Sequence, residues 1–309
     1  MRITSPVFRA NGSAVRGDAG VHWLAGISRL LGEIEGSWDV RIGPPYELSY
    51  SYVAPATDSA GRPSVVKLTV PGAAQLDREA AALDGFAGHG AIRLLDRDDS
   101  RGALLLERAE PGGSSPSSDR TETARPPPSC ARSCSGWRPS PRLITCCPAL
   151  PTTALTFVHY IERHPRTGPL PRRLVVRAAE LLEQLSAAAP RTVLLHGDLH
   201  HHNILQSQRE PWLAIDPHGL IGDPGFEIGA MLYNPMTFDA EQLVRLLPSR
   251  LEQLCDLTGL ETERVVAWGF VMAVLSEVWT AEDHDEIDGR PLAVAEAMRR
   301  LHRGLDGEL

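Results

Sequence analysis

Lysine is almost missing from this chain. Of 309 residues, 31 are basic, and Lys67 is the one lysine among them, which leaves 30 arginines. Arginine is a broad planar fork, whereas lysine is a compact point charge that can sit among phosphate oxygens. A lone lysine is therefore expected where arginine cannot stand in, the plainer alternative being a stray surface lysine with a solvated helix glutamate at Glu79. The opening residues lack the charged-then-apolar pattern of a signal peptide, and no apolar run approaches membrane-spanning length. A cytoplasmic, monomeric protein without a membrane partner is the expectation. Cysteine is oddly placed: five in all, four of them crowded at Cys130, Cys134, Cys146 and Cys147. That spacing fits neither paired zinc ligands nor a disulfide framework. Positive charge is in deficit too. A net charge of −8 argues against nucleic acid as a partner and would draw in a cationic small molecule.

Regular patterning is absent from one stretch. Pro111 to Pro151 holds nine prolines and the four crowded cysteines, with no helical or strand period. It reads as a disordered insert or as a segment translated in a shifted frame. The second reading is preferred, because the helical pattern resumes cleanly beyond about Arg172.

On either side the patterning is orderly. Trp23, Leu24, Ile27, Leu30, Leu31 and Ile34 recur at helical spacing and predict an N-terminal helix. A β-rich region follows from about Val40 to Val70, then a helix through Leu76–Leu83 that ends near Gly88 and Gly90. A hairpin next runs from Ile92–Leu95 through Asp98-Asp99-Ser100 to Leu104–Glu107. Residues 1–108 thus form a small nucleotide-binding lobe. Glu107-Arg108-Ala109 is its hinge, with the backbone at Glu107 and Ala109 facing the adenine. No Gly-x-Gly-x-x-Gly is present, and Gly43–Ser49 is the one candidate for a phosphate-covering loop. Residues 109–309 form a catalytic and substrate-binding lobe. It has a helix over Leu174–Ala188, a short strand Val193–Leu195, and helices around 240–257, 261–281 and 290–303.

The most informative run is His196-Gly197-Asp198-Leu199-His200-His201-His202-Asn203, with Asp216 thirteen residues beyond Asn203. Phosphoryl transfer needs an acid that takes the hydroxyl proton, an amide five residues on and a second acid after a short hairpin, the latter two holding Mg²⁺. Ile204–Ser207 and Trp212–Asp216 read as that hairpin, with Gln208–Pro211 as a four-residue loop. Pairing Ser207 with Trp212 puts Asn203 opposite Asp216, where directly opposed Cβ atoms sit about 4.5–5.5 Å apart. Mg²⁺ takes few protein oxygens, so one amide and one carboxylate suffice. Lys67 lies in Ser64–Val70, where Val66, Leu68 and Val70 point one way and Lys67 the other. Twelve residues on, Glu79 sits on the next helix, placed to hold the lysine.

Other groups have plainer alternatives. His200, His201 and His202 could bind zinc with Asp198, but that leaves Lys67, Glu79 and Asp216 unexplained. His196 is either a prop for the loop or a packed core histidine. Glu282–Asp288 holds five carboxylates and is a solvated loop or a guanidinium-binding site. Glu282, Asp283, Glu277 and Glu227 are the substrate candidates, and Glu227 could equally brace the loop. Trp268 and Trp279 read as core.

The 196–203 run, with Trp212–Leu220 and Gly222-Asp223-Pro224-Gly225-Phe226-Glu227, resembles the aminoglycoside/hydroxyurea phosphotransferase family, nearest its streptomycin 6-kinase branch. The resemblance covers roughly 60–108 and 172–302. It implies an α+β, bilobal protein-kinase-like fold and transfer of the ATP γ-phosphoryl to the 6-hydroxyl of streptomycin. By the same match Asp198 is the base, Asn203 and Asp216 hold Mg²⁺, and Lys67, partnered by Glu79, holds the phosphates. The 111–151 segment departs from the family pattern, lacking the helices expected after the hinge.

Overall fold

The computed structural model describes residues 6–46, 51–114, 146–235 and 237–301. Alternating apolar residues lay down five antiparallel strands: β1 (Val40–Ile42), β2 (Tyr52–Asp58), β3 (Pro63–Leu68), β4 (Leu94–Asp98) and β5 (Ala103–Glu107). Their order in the sheet is β1-β2-β3-β5-β4. Helix α1 (Pro6–Trp38) covers one face, where Trp23, Ile27 and Ile34 join Tyr52, Val66 and Leu68 in one buried cluster. The period of two leaves Val65 and Lys67 on the other face, toward α2 (Ala74–Phe86). Strand β4 begins later than expected, because the Ile92 N–H is taken by the Ala214 carbonyl at 3.0 Å.

The second lobe is mainly helical: α3 (Ala154–Arg163), α4 (Arg172–Ala187), α5 (Gly225–Leu232), α6 (Ala240–Thr258), α7 (Thr262–His284) and α8 (Arg290–Leu301). Two small sheets sit between it and the first lobe. In one, β7 (Val193–Leu195) pairs with β10 (Leu220–Gly222); in the other, β6 (Pro111–Ser114), β8 (Ile204–Ser207) and β9 (Trp212–Ala214) lie in that order. The α+β, two-lobed arrangement is the expected one. A shared core seats the lobes together, with Leu83, Phe86 and Leu104 from the first packing with Ile204, Leu213 and Met231 from the second.

Helix α7 is the centre of the helical lobe. Trp268 is fully buried and Trp279 packs on the same core. Against the sequence expectation, this helix is long and apolar enough to cross a membrane, yet 78% of its apolar window is buried within the fold. Gly225 lets α5 lie against it, since a Cβ there would run into the Trp268 ring. Helix α6 starts from a capping box: Asp239 accepts from the Gln242 N–H at 2.8 Å, and the Gln242 side chain accepts from the Asp239 N–H at 3.0 Å.

The unpatterned stretch is built into the fold at both of its ends. Pro111 pairs with Ser207 and Ser114 with Leu205, Cys147 is buried, and Ala149 bridges Ile221. Helix α3 also begins well before Arg172. Residues 115–145, with Cys130, Cys134 and the insert-or-frameshift reading of that stretch, lie outside the described residues. Cys146, Cys147 and Cys255 are free thiols.

Glu277 corrects a sequence expectation. Instead of facing a substrate it is fully buried on α7 and accepts from the N–H groups of Asp288 (2.8 Å), Gly289 (2.7 Å) and Leu292 (3.0 Å). Both oxygens are taken by the turn that starts α8. Replacing Glu277 with Ala leaves three half-buried backbone donors without their acceptor, and a loss of about 2 kcal/mol is expected in urea unfolding. A loss under about 0.5 kcal/mol, the range of ordinary surface changes, would refute the brace.

Candidate active site

Lys67 is where the two lobes meet electrostatically. Its Nζ lies 2.6 Å from Glu79 Oε2 on α2 and 2.5 Å from Asp216 Oδ1 just beyond β9. Burial works against its charge, but the two carboxylates outweigh that and hold its pKa above the usual lysine value. Helix α2 can come this close because Gly219 (φ 65) has no side chain: a Cβ there would sit 2.7 Å from the Arg78 carbonyl.

The loop after β7 is pinned by His196. Its Nδ1 accepts from the Asp198 N–H at 3.3 Å, so its Nε2 carries the proton and donates to the Ile215 carbonyl at 2.8 Å. Burial lowers the His196 pKa to about 4, which keeps the ring neutral. Its own carbonyl accepts from the His218 N–H at 2.7 Å. The packed and propping readings of His196 are therefore one and the same.

Asp198 faces two imidazoles, His200 Nε2 at 3.5 Å and His218 Nε2 at 3.8 Å from its Oδ2. Burial disfavours its charge, yet the neighbouring histidines bring its pKa down to about 2. Asn203 closes the loop, its Nδ2 donating to the Asp198 carbonyl at 2.9 Å and to Asp198 Oδ2 at 3.3 Å. His218 had no role assigned from sequence, although its place two residues beyond Asp216 was signal enough to test it.

The hairpin differs from expectation by one residue. Gln206, not Ser207, pairs with Trp212, Ser207 continues that register by donating its N–H to the Pro211 carbonyl (3.3 Å), and Asn203 falls opposite Ile215, whose N–H it receives at 2.9 Å. On its other edge Ser207 pairs with Pro111 of β6. A one-residue slip would turn Asp216 to the wrong face. The chain corrects this at Asp216 itself, whose φ of 58 leaves the strand conformation and re-aims its carboxylate at Lys67.

The three consecutive histidines diverge. His200 faces Asp198, whereas His201 is buried and held neutral, burial lowering its pKa to about 3. Among the described residues no three His, Cys, Asp or Glu side chains are placed to hold a metal ion, so the zinc reading is set aside. Magnesium asks for less. The amide nitrogen of Asn203 donates to Asp198, which leaves its oxygen as the atom that could ligate a cation. Asp216 is 47% exposed and keeps Oδ2 outside its Lys67 contact. Lys67 lowers the Asp216 pKa and keeps it a carboxylate, and a carboxylate and an amide oxygen are ligand types that suit a hard cation that also binds phosphate oxygens.

The other candidates lie apart. Glu107 points at Arg209, at 2.7 and 2.9 Å, and its N–H is taken by the Arg93 carbonyl. Ala109 is buried beside it. Glu282 and Asp283 lie in the last turn of α7, next to Arg163, which pairs with Asp285 at 2.7 Å. Of the candidate phosphate-covering loop, residues 47–49 lie outside the described residues, while Gly43 and Tyr46 are bonded to β2.

The aminoglycoside/hydroxyurea antibiotic resistance kinase family matches residues 40–284. The chain is 29% identical over 292 residues to a streptomycin 6-kinase of Streptomyces glaucescens, covering 92% of each. It is 33% identical over 291 residues to a hydroxyurea phosphotransferase of Kitasatospora aureofaciens, covering 91% of this chain and 82% of that one. Among solved structures, aminoglycoside phosphotransferase APH(4)-Ia superposes with a TM-score of 0.59 at 14% identity, over 87% of this chain and 99% of that one. The two lobes thus have the protein-kinase-like fold.

Behind the loop, Glu227 is buried and its Oε1 accepts from the Gly197 N–H at 2.8 Å, while among the described residues its Oε2 has no partner. The bracing reading is the one the geometry supports. Burial pushes its pKa from 4.5 up to about 8, the Gly197 bond opposing and the Asp198 charge adding. A carboxyl raised in the folded state keeps a proton that the unfolded chain has lost, so its contribution to stability falls as pH climbs from about 4.5 to 8. The Glu227→Gln variant, which mimics the protonated form, is expected to gain stability relative to the parent across that window in urea titrations. A constant gap from acid to neutral pH would show that Glu227 is ionised in the fold.

Proposed function

The chain belongs to the aminoglycoside/hydroxyurea antibiotic resistance kinase family, and from that premise we propose that it moves the γ-phosphoryl of ATP to a hydroxyl of an aminoglycoside, the 6-hydroxyl of streptomycin first among them. The observation that carries this reading is the Lys67 ammonium shared by Glu79 and Asp216, with Asp198 and Asn203 joined on the adjoining loop. Lys67 meets the phosphates. The phosphoryl group is already electrophilic, so side chains mainly position and neutralise. Asp198 hydrogen-bonds the acceptor hydroxyl at about 2.6–3.2 Å. With a pKa near 2 it is a weak base. It therefore orients the hydroxyl and takes the proton late, once bonding to phosphorus has made that proton acidic. Asn203 and Asp216 would hold Mg²⁺, which supplies neutralising charge for the phosphate oxygens. The backbone at Glu107 and Ala109 is the adenine hinge, and residues 1–108 and 109–309 are the two lobes. The enzyme works as a cytoplasmic monomer, where ATP and Mg²⁺ are at hand.

For the acceptor, the net charge of −8 favours a cation such as streptomycin, and the half-buried Glu282 and exposed Asp283 are the carboxylates we assign to it. Hydroxyurea is the second reading, favoured by the 33% identity to a hydroxyurea phosphotransferase. Incubating the protein with Mg·ATP and each compound, and following phosphoester formation by ³¹P NMR, decides between them. Streptomycin is expected to be phosphorylated, with Asp198→Asn slower by roughly 100-fold or more. Turnover of hydroxyurea alone would reassign the acceptor. No turnover of either, with Asp198→Asn behaving like the parent, would end the kinase proposal.

A further inference from the structure

Arg209, in the β8–β9 turn, lies at the opposite end of the hairpin from Asp216. Every N–H of its guanidinium has a partner. Nε donates to Glu107 Oε1 (2.7 Å), Nη2 to Glu107 Oε2 (2.9 Å) and the Ala91 carbonyl (2.8 Å), and Nη1 to the Gly88 carbonyl (2.5 Å) and Glu210 Oε1 (3.1 Å). Its side chain is 23% exposed and that of Glu107 19%, so the pair is largely out of water, where a bidentate contact counts for most.

Apart from the neighbouring Glu210, these partners come from two places in the first lobe. Glu107 ends β5 at the hinge, and its Oε2 also accepts from the Arg93 N–H at 2.9 Å. Gly88 and Ala91 form the turn that follows α2, the helix carrying Glu79. The same turn is bonded to the hairpin again, by the Gly90 N–H to Glu210 Oε1 (3.2 Å) and by the Ala214 N–H to the Gly90 carbonyl (2.8 Å). On the hinge side, the Gln208 N–H donates to the Glu110 carbonyl at 2.8 Å. One guanidinium plane thus holds the hinge and the end of α2 on the hairpin flanked by Asn203 and Asp216.

We propose that Arg209 is a positioning residue for the nucleotide: it locks the hinge and the α2 turn to the metal-side hairpin, so that base and phosphates of one nucleotide meet their partners in register. The proposal rests on the kinase reading above. A ligand that touches only the hinge does not need this lock; one that spans hinge and hairpin does. Lysine cannot replace arginine here, because three donors on one point cannot match five in a plane.

The test compares Mg·ATP with adenosine, by equilibrium binding to the full chain. The Arg209→Lys variant is expected to weaken Mg·ATP by roughly tenfold or more while adenosine is held as before. In turnover, KM for ATP rises and KM for the acceptor stays. Glu107→Gln, a milder change, is expected to act the same way, and the double variant to be no worse than the Arg209→Lys single, as for two ends of one contact. Equal weakening of both ligands, or unchanged binding with only a lower melting temperature, overturns the proposal and leaves a structural bond. If the parent protein binds neither ligand, the kinase reading fails and takes this proposal with it. If the parent binds Mg·ATP and both variants match it, the proposal alone fails.

Discussion

A single ammonium group, shared by two carboxylates, sets the geometry on which the rest of the cleft depends. Lys67 comes from the sheet, Glu79 from α2 and Asp216 from the end of the hairpin, and no two of them belong to the same element. A buried charge of this kind is costly to desolvate and tolerable only when fully partnered. Sheet, helix and hairpin must therefore arrive together. The absent side chain of Gly219 and the left-handed backbone of Asp216 are the local concessions that allow it. Lysine suits this position because its charge is compact enough to be approached by oxygens from two directions at 2.5 and 2.6 Å.

Around this pair the charges are sorted by depth. Lys67, Asp198 and Asp216 are ionised, their charges set by one another and by neighbouring histidines. Behind them His196 is neutral and Glu227 holds its proton, although both touch the same loop. Burial decides the second set: a group that cannot be charged cheaply becomes a fixed hydrogen-bonding prop. The loop is thereby held by contacts that do not compete with the charges of a substrate.

Much of this was legible along the chain. The loop carrying Asp198 and Asn203, the lone lysine on a strand and the glutamate on the following helix are local signals, readable from spacing and period. The helical lobe was legible from its apolar repeat, with Trp268 in the core. What misled was equally specific. The hairpin register depends on a turn whose Ser207 is also engaged by Pro111, almost a hundred residues earlier, and no turn rule sees that contact. Glu277 looks like a free acid in a polar neighbourhood until α8 folds back onto it. The first-lobe partners of Arg209 lie more than a hundred residues upstream, where no local pattern sees them.

By itself, then, the order of residues determined which chemical groups stand at close spacing in short motifs, and on which kinds of element they ride. Periodicity and short motifs are local properties, and local sterics and hydrogen bonding are enough to express them. Only the packed tertiary structure decided which carboxylates remain free and which are taken by backbone donors, which face Asp216 turns to, and how the lobes are fastened. Those outcomes depend on burial and on partners distant in the chain, and neither exists until the chain has closed on itself.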